Sequence, residues 1–180
     1  MLTITVEQEE FWNDDLQEFY TVPEKTFHFE HSLASISKWE MKWHVPYLGD
    51  ETQGYTKTEE QATDYIRCMC FEDIDDLYLA IITAKYYPML KDYMENPMTA
   101  TWFSDKKMPS CNRNNITTNE QIYGMMAANS IPFECDQWHF NRLMALLRVC
   151  NEQNGEHKPM SKREILEHNK YLNAMRRKKK

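Results

Sequence analysis

The N-terminal residues alternate between apolar and polar side chains, which predicts a short β-strand. This pattern runs from Leu2 to Val6 and uses β-branched residues that suit a pleated strand. Thr26 to His31 has the same period of two, and Asn13 to Asp15 and Pro23, which lie between the two segments, are typical of turns. Residues 1–31 are therefore predicted to form a small antiparallel β element, which needs helices packed on it to be stable.

Capping boxes indicate where three helices begin. In this motif a Ser or Thr hydroxyl and a Glu or Gln side chain three residues later accept hydrogen bonds from backbone amides that the first helical turn leaves free. The sequence has the motif at Thr58–Gln61, Thr118–Gln121 and Ser161–Glu164. A helix is predicted to begin at each of these positions.

Prolines indicate where further helices end, because the residue before a proline avoids the helical region. Ser32 is predicted to cap a helix that stops before Pro46. Pro88 is predicted to separate two helices, over residues 74–86 and 89–95.

The strongest helical pattern runs from about Cys135 to Asn151. Its apolar stripe consists of Phe140, Leu143, Met144, Leu147 and Cys150. Leu143, Leu147 and the nearby Trp138 are predicted to lie in the core.

Together these elements predict an α+β fold that is mostly α. Residues 1–157 are predicted to form a single globular domain, with the β element at 1–31 and a helical core at 32–154. Residues 158–180 are predicted to form a basic C-terminal helix or tail with a thin apolar face. That face consists of Ile165, Leu166, Leu172 and Met175. Such a helix is predicted to stand off the globular domain, or to dock on it weakly, until a partner covers its apolar face.

Charge is distributed unevenly along the chain. Residues 1–157 contain 12 Lys and Arg against 26 Asp and Glu, whereas residues 158–180 contain nine against two. The basic terminus is interpreted as a solvated tail or as a segment that docks on an acidic protein surface. Nucleic acid is the less favoured partner, because no aromatic stacking platform lies near these charges. The predicted partner-binding residues are Trp102, Phe103, Arg176, Arg177, Lys178, Lys179 and Lys180.

The cysteines lack the spacing of a metal site. Cys68 and Cys70 have no second pair of ligands, and Cys135 and His139, although four residues apart, have no two further ligands at matching spacing. The cysteines are therefore interpreted as free thiols in a reducing cytosol, with Cys135 buried.

The histidines and carboxylates also have ordinary structural interpretations. His28 and His31 are predicted to lie on opposite faces of a strand. The acidic clusters at 14–15, 59–60 and 72–76 are interpreted as helix starts and turns, where carboxylates stabilise the positive end of the helix dipole. The chain contains no glycine-rich phosphate loop and no nucleophile motif. The sequence therefore predicts neither enzyme activity nor a cofactor. An enzyme whose site combines the two histidines with scattered carboxylates is the least favoured of three functional hypotheses, after the two non-enzymatic ones given below.

Hydropathy predicts a soluble protein without a membrane partner. No apolar run reaches the roughly 18 residues of a membrane span. Residues 1–10 lack the basic start and apolar stretch of a secretion signal.

Four stretches of the chain carry a family resemblance. They are residues 29–43 (FEHSLASISKWEMKW), 97–103 (PMTATWF), 131–143 (IPFECDQWHFNRL) and 159–173 (PMSKREILEHNKYLN). In this order and spacing they resemble the tail assembly chaperones encoded in the structural-gene clusters of long-tailed bacteriophages. The similarity extends from about residue 25 to residue 180, and it is weakest over 47–57 and 71–88.

The resemblance implies a non-enzymatic role in the host bacterial cytoplasm. Members bind the long tape measure protein before the tail tube forms around it, help to recruit tail tube subunits, and are lost from the finished particle. Several are made in two lengths by ribosomal frameshifting, and a run of adenines encoding Lys178 to Lys180 would be a site for it. The alternative is a virion structural protein, such as a head–tail connector or a minor tail or capsid component. Self-association stays open in both cases.

Overall fold

The protein folds into four β-strands followed by five α-helices within the residues that the structure describes. The computed structural model describes residues 1–13, 17–49, 56–101 and 117–154. The strands are β1 (Leu2–Val6), β2 (Glu9–Asn13), β3 (Glu18–Val22) and β4 (Lys25–Phe29). The helices are α1 (Leu33–Trp43), α2 (Glu59–Met69), α3 (Asp76–Glu95), α4 (Asn119–Ala128) and α5 (Phe140–Asn154), with a 3₁₀ helix at Phe133–Gln137. The predicted α+β, mostly α fold is confirmed.

The chain divides into two units, Met1–Arg148 and Val149–Lys180. The described part of the second unit is residues 149–154, the end of α5. The packing, hydrogen bonds and surfaces described below belong to the first unit.

The four strands are successive parts of one β-hairpin. β1 pairs with β4 and β2 pairs with β3, both antiparallel. Leu2 lies opposite Phe29 and Glu9 lies opposite Val22, so the register is the same in both ladders. The ladder is interrupted at residues 7–8 and 23–24, where Pro23 has no amide hydrogen to donate.

This hairpin corrects the sequence prediction. Residues 9–13 and 18–22 are strands, whereas Asn13 to Asp15 and Pro23 were expected to be turns between two strands only. Pro23 lies in the break of the ladder, and residues 14–16 lie outside the described residues. Pairing across the hairpin stabilises β2 and β3, and that pairing is not visible in a local window of sequence.

The half of the hairpin formed by β1 and β4 belongs to the core. Its buried side chains include Ile4, Val6, Phe27 and Phe29. Helix α3 packs on this half: the Tyr78 ring lies edge-on against Phe27 at 5.2 Å between centroids, and its hydroxyl donates to the Pro23 carbonyl at 2.8 Å. The β element is therefore stabilised by a helix, as predicted.

Helices α1 and α2 begin at the predicted capping residues. The Ser32 hydroxyl accepts from the Ser35 amide at 3.2 Å. The capping box of α2 is complete: the Gln61 amide donates to the Thr58 hydroxyl at 3.2 Å, and the Thr58 amide donates to Gln61 Oε1 at 2.9 Å. Helix α1 ends at His44, which adopts a left-handed conformation with φ of 55°, two residues before the proline expected to stop it.

Pro88 does not separate two helices. It lies inside the single helix α3, so the prediction of two helices is wrong. Its missing amide would have bonded to the carbonyl of Ala84, and both residues are exposed. Water can therefore satisfy that carbonyl, and the helix continues.

The predicted capping box of α4 does not form. Thr118 precedes the helix but makes no side-chain capping hydrogen bond. The buried carboxylate of Glu40 on α1 takes this place: Oε2 accepts from the Asn119 amide at 2.9 Å, and Oε1 accepts from the Tyr47 amide at 2.7 Å. The third box, at Ser161, lies outside the described residues.

Helix α5 begins five residues later than predicted, because a long-range hydrogen bond fixes the backbone just before Phe140. The Phe140 amide donates to the His31 carbonyl at 2.6 Å, and Trp138 is extended. Leu143 and Leu147 are buried, as predicted. Trp138 is only partly buried, and the Arg142 guanidinium lies 4.0 Å from its ring centroid, so it is not a core residue.

Candidate partner-binding surfaces and the buried histidine cluster

His28 and His31 bind different partners and do not form a common site. The His28 amide donates to Glu72 Oε2 at 2.8 Å, and His28 Nδ1 lies 2.6 Å from Glu72 Oε1. His31 is buried, with Nδ1 2.5 Å from the Tyr65 hydroxyl. Among the described residues, the two histidines therefore contact separate side chains, Glu72 and Tyr65.

His31 belongs to a buried cluster of rings. Its ring centroid lies 5.4 Å from His139, 5.5 Å from Phe140 and 5.8 Å from Tyr65. His139 Nε2 lies 3.0 Å from the Tyr93 carbonyl and must donate to it, because a carbonyl only accepts. His139 Nδ1 accepts from the Asn141 amide at 3.2 Å. Both nitrogens of His139 are thus occupied in the neutral ring.

Burial keeps both histidines neutral. It lowers the pKa of His31 to about 4, and the nearby His139 adds to this effect. Burial also lowers the pKa of His139. The cluster therefore connects His31, which follows β4, to Tyr65 on α2, and connects His139, which precedes α5, to the Tyr93 carbonyl on α3.

We expect acid to destabilise the fold through His31. The folded pKa of about 4 lies below the ordinary value of 6.5, so the unfolded chain takes up the proton first. This contribution to stability is complete above pH 6.5 and is lost as the pH falls toward 4. We expect a loss of about 2 kcal/mol between pH 7 and pH 5, measured by urea unfolding at several pH values.

Two histidine variants control for this prediction. His31→Asn removes the titrating ring, so its stability should depend less on pH over this range whatever its absolute value. His44→Asn is the matched substitution at an exposed histidine, and Asn tolerates the left-handed backbone there. Equal pH dependence in His31→Asn and the wild type would contradict the assignment.

The cysteines are free thiols in the described residues. Cys68, Cys70, Cys135 and Cys150 form no disulfide. Burial raises the pKa of Cys68 and of Cys70 to about 11, so both thiols are protonated at neutral pH. Cys135 is buried, as predicted, but it lies in the 3₁₀ helix and does not share a helix with His139. Within the described ranges, no group of three or more His, Cys, Asp or Glu residues is arranged to hold a metal ion.

The described carboxylate clusters lie at helix starts and in polar contacts. Asp75 caps α3 by accepting from the Tyr78 amide at 2.9 Å. Glu59 and Glu60 occupy the first turn of α2, as predicted. Asp76 pairs with Arg67 at 2.5 Å.

The predicted partner-binding residues lie outside the described residues. These are Trp102, Phe103, Arg176, Arg177, Lys178, Lys179 and Lys180. Two other surfaces in the described part of the chain expose apolar side chains. Neither surface was predicted from the sequence.

The first surface is the outer face of α3. The inner face of this helix buries Tyr78, Leu79, Ile81, Ile82 and Leu90. The outer face exposes an apolar stripe at helical spacing, which we call the α3 stripe: Leu77, Ala80, Ala84, Tyr87 and Pro88. Leu77 is 39% exposed and Tyr87 is 44% exposed. A helix that is apolar on both faces is usually covered on both.

A groove of about 640 Å³ runs beside the α3 stripe, between α2 and α3. Ala80 lines both the groove and the stripe. The charged groups in the groove wall are Lys42, Glu59, Glu60, Asp64, Arg67 and Asp76. Asp64 is held by Lys42 at 2.5 Å and by Trp43 Nε1 at 2.8 Å, so the carboxylates of Glu59 and Glu60 are the more accessible ones.

The second surface is the half of the hairpin formed by β2 and β3, which we call the distal arm. Phe11 stacks on Tyr20 across the strands at 5.7 Å, on the face that includes the buried Val22. On the other face Trp12 lies edge-on against Phe19 at 4.9 Å, and these side chains are 49% and 69% exposed. The aromatic residues at 11–12 and 19–20 were a strand signal that the sequence prediction overlooked.

Comparisons with known proteins found no similar protein. No protein-family model, curated protein or solved structure matches this chain. The family resemblance of the four sequence stretches therefore stays a prediction. Among the described residues, no helix is long and apolar enough to cross a membrane.

Proposed function

We propose that this protein is a non-enzymatic tail assembly chaperone of a long-tailed bacteriophage. It binds the tape measure protein in the host bacterial cytoplasm and helps to recruit tail tube subunits. The family resemblance suggests this role, and the exposed α3 stripe is the structural observation that supports it.

The α3 stripe has the shape and chemistry to bind a helical client. From Leu77 to Tyr87 it extends about 15 Å along the helix, which is about three turns. Ala80 and Ala84 in its middle are small, so a client helix can approach closely between the larger side chains at the two ends. An amphipathic helix would lay its apolar face on such a stripe.

Charge beside the stripe favours a client with basic flanks. Glu59 and Glu60 line the adjacent groove and are exposed. Basic residues next to the apolar face of a client helix would pair with them at the rim of the contact. The net charge of −7 also keeps a protein with exposed apolar side chains in solution.

A virion structural protein, such as a head–tail connector, is the competing proposal. It would use the same apolar stripe against a neighbouring subunit. The two proposals differ in where the protein is found after assembly.

Mass spectrometry of infected-cell lysate and purified particles tests the proposal. A chaperone should be abundant in lysate, co-purify with the tape measure protein, and be absent from particles. A fixed copy number in particles would instead support the structural protein. Absence from both would exclude the phage context.

A substitution on the α3 stripe tests the site itself. Ala84→Glu places a carboxylate in the apolar contact and should weaken binding of purified tape measure protein at least about tenfold, equivalent to about 1.4 kcal/mol. Ala127→Glu is the matched control, because Ala127 is exposed on α4. Equal affinities of the two variants would exclude the stripe as the binding site.

A further inference from the structure

The distal arm has an uncovered aromatic face. Trp12 and Phe19 lie directly opposite each other in the ladder, and both are about half exposed or more. Aromatic side chains bury about 150–250 Å² each when covered, and Trp is enriched among the residues that dominate protein interfaces. This face therefore has the composition of a small binding site.

The arm is also strongly acidic. Residues 7–24 contain no Lys or Arg and seven carboxylates: Glu7, Glu9, Glu10, Asp14, Asp15, Glu18 and Glu24. Lys85 on α3 pairs with Glu9 at the base of the arm. Two arms brought edge to edge would place these like charges together, which opposes pairing of arm with arm. The arm instead favours a partner segment that is both apolar and basic.

The chain itself contains such a segment. Residues 158–180 have nine basic residues and two acidic ones, a balance of +7 against −7 for residues 7–24. Their large apolar side chains are Met160, Ile165, Leu166, Tyr171, Leu172 and Met175. By composition the segment therefore combines apolar side chains, which can cover Trp12 and Phe19, with positive charge, which complements the acidic arm.

We propose that the distal arm of one copy binds residues 158–180 of a second copy. Such a contact is heterologous, since the arm and the segment are different surfaces. A pair joined by one such contact still has one unused arm and one unused basic segment. Further copies can therefore add one after another along a long client. The choice of a second copy as the partner that binds the arm rests on the proposed function. Self-association itself is measured without any phage component, so its failure leaves the tape measure test standing.

Complementation between two variants tests this proposal. The arm variant carries Trp12→Ser and Phe19→Ser, and the segment variant carries Gln at positions 176–180. Sedimentation velocity should show that the wild type associates as its concentration rises. Each variant alone should stay monomeric, whereas an equimolar mixture should form a heterodimer and stop there. The intact segment of the arm variant would bind the intact arm of the segment variant.

Salt and folding controls complete the test. Raising the salt from about 0.05 M to 0.5 M should weaken wild-type association at least about tenfold, because short Debye lengths screen exposed charges. Both variants should keep the wild-type circular dichroism, since Trp12 and Phe19 are exposed. A wild type that is monomeric at all concentrations, as it would be if each segment bound its own arm, would overturn the proposal. So would variants that associate alone, or a mixture that stays monomeric.

Discussion

Trp39→Ala should lower the free energy of unfolding by about 4–5 kcal/mol, near the upper end of the losses seen when a buried aromatic residue is truncated. Trp39 is completely buried on α1, and its ring lies 5.3 Å from that of Tyr47. Its Nε1 donates to the Gln61 carbonyl on α2 at 2.8 Å. Alanine would leave a large cavity and remove the donor from that carbonyl. Urea unfolding followed by circular dichroism measures the loss.

Trp138→Ala is the matched control for this prediction. Trp138 is only partly buried, with Arg142 stacked on its ring, so its truncation should cost about 1 kcal/mol. Trp39→Phe keeps an aromatic ring but lacks the donor, and its loss should lie between the two. Equal losses for Trp39→Ala and Trp138→Ala would contradict the packing of α1 on α2.

Glu40→Ala should cost about 3–4 kcal/mol, because it removes the acceptor from two backbone amides at once. Glu40 is buried, and its carboxylate accepts from Asn119 at the start of α4 and from Tyr47 in the loop after α1. It also places negative charge at the positive end of the α4 dipole. Hydrogen exchange should show the loss locally, as faster exchange of the Asn119 and Tyr47 amides.

Two glutamine variants separate these contributions. Glu40→Gln keeps one acceptor oxygen but turns an amide group toward the second donor, so its loss should be smaller than that of alanine yet still measurable. Glu120→Gln changes an exposed carboxylate in the same turn of α4 and should cost less than about 0.5 kcal/mol. If Glu120→Gln cost as much as Glu40→Ala, the dipole rather than the hydrogen bonds would be responsible.

Local signals in the sequence predicted the elements that local interactions decide. The capping box at Thr58 and the capping Ser32 each need only backbone groups three residues away, so their helices begin where expected. The period of two in β1 gives its bounds correctly. These features depend on the chain close to each residue.

Long-range contacts decided the elements that the sequence did not predict. Thr118 has the pattern of a capping residue, but the Glu40 carboxylate from another helix caps α4. Pro88 is a helix breaker in isolation, yet packing of the inner face of α3 holds the helix on both sides of it. Pairing with the facing strand similarly forms β2 and β3 around residues typical of turns.

The candidate surfaces were hidden in the sequence for a related reason. Residues 77–82 are apolar without a break, and 86–90 are apolar or aromatic, so the pattern does not show which face of α3 is covered. Leu77 and Tyr87 could therefore not be separated from the buried Tyr78. Trp12 and Phe19 form a face only once the hairpin register places them opposite each other. Exposure is a property of the packed fold, and the sequence pattern alone does not contain it.

The break in the hairpin at Pro23 also has a mechanical consequence. The half with β1 and β4 is fixed in the core, whereas the distal arm is joined to it through a point where the ladder is interrupted. The break is nevertheless attached to α3, because the Pro23 carbonyl accepts from the Tyr78 hydroxyl and the neighbouring Val22 is buried. Glu9 at the base of the arm pairs with Lys85 on the same helix. A load applied at the arm would therefore pass to α3 through these contacts, and not only to the inner ladder.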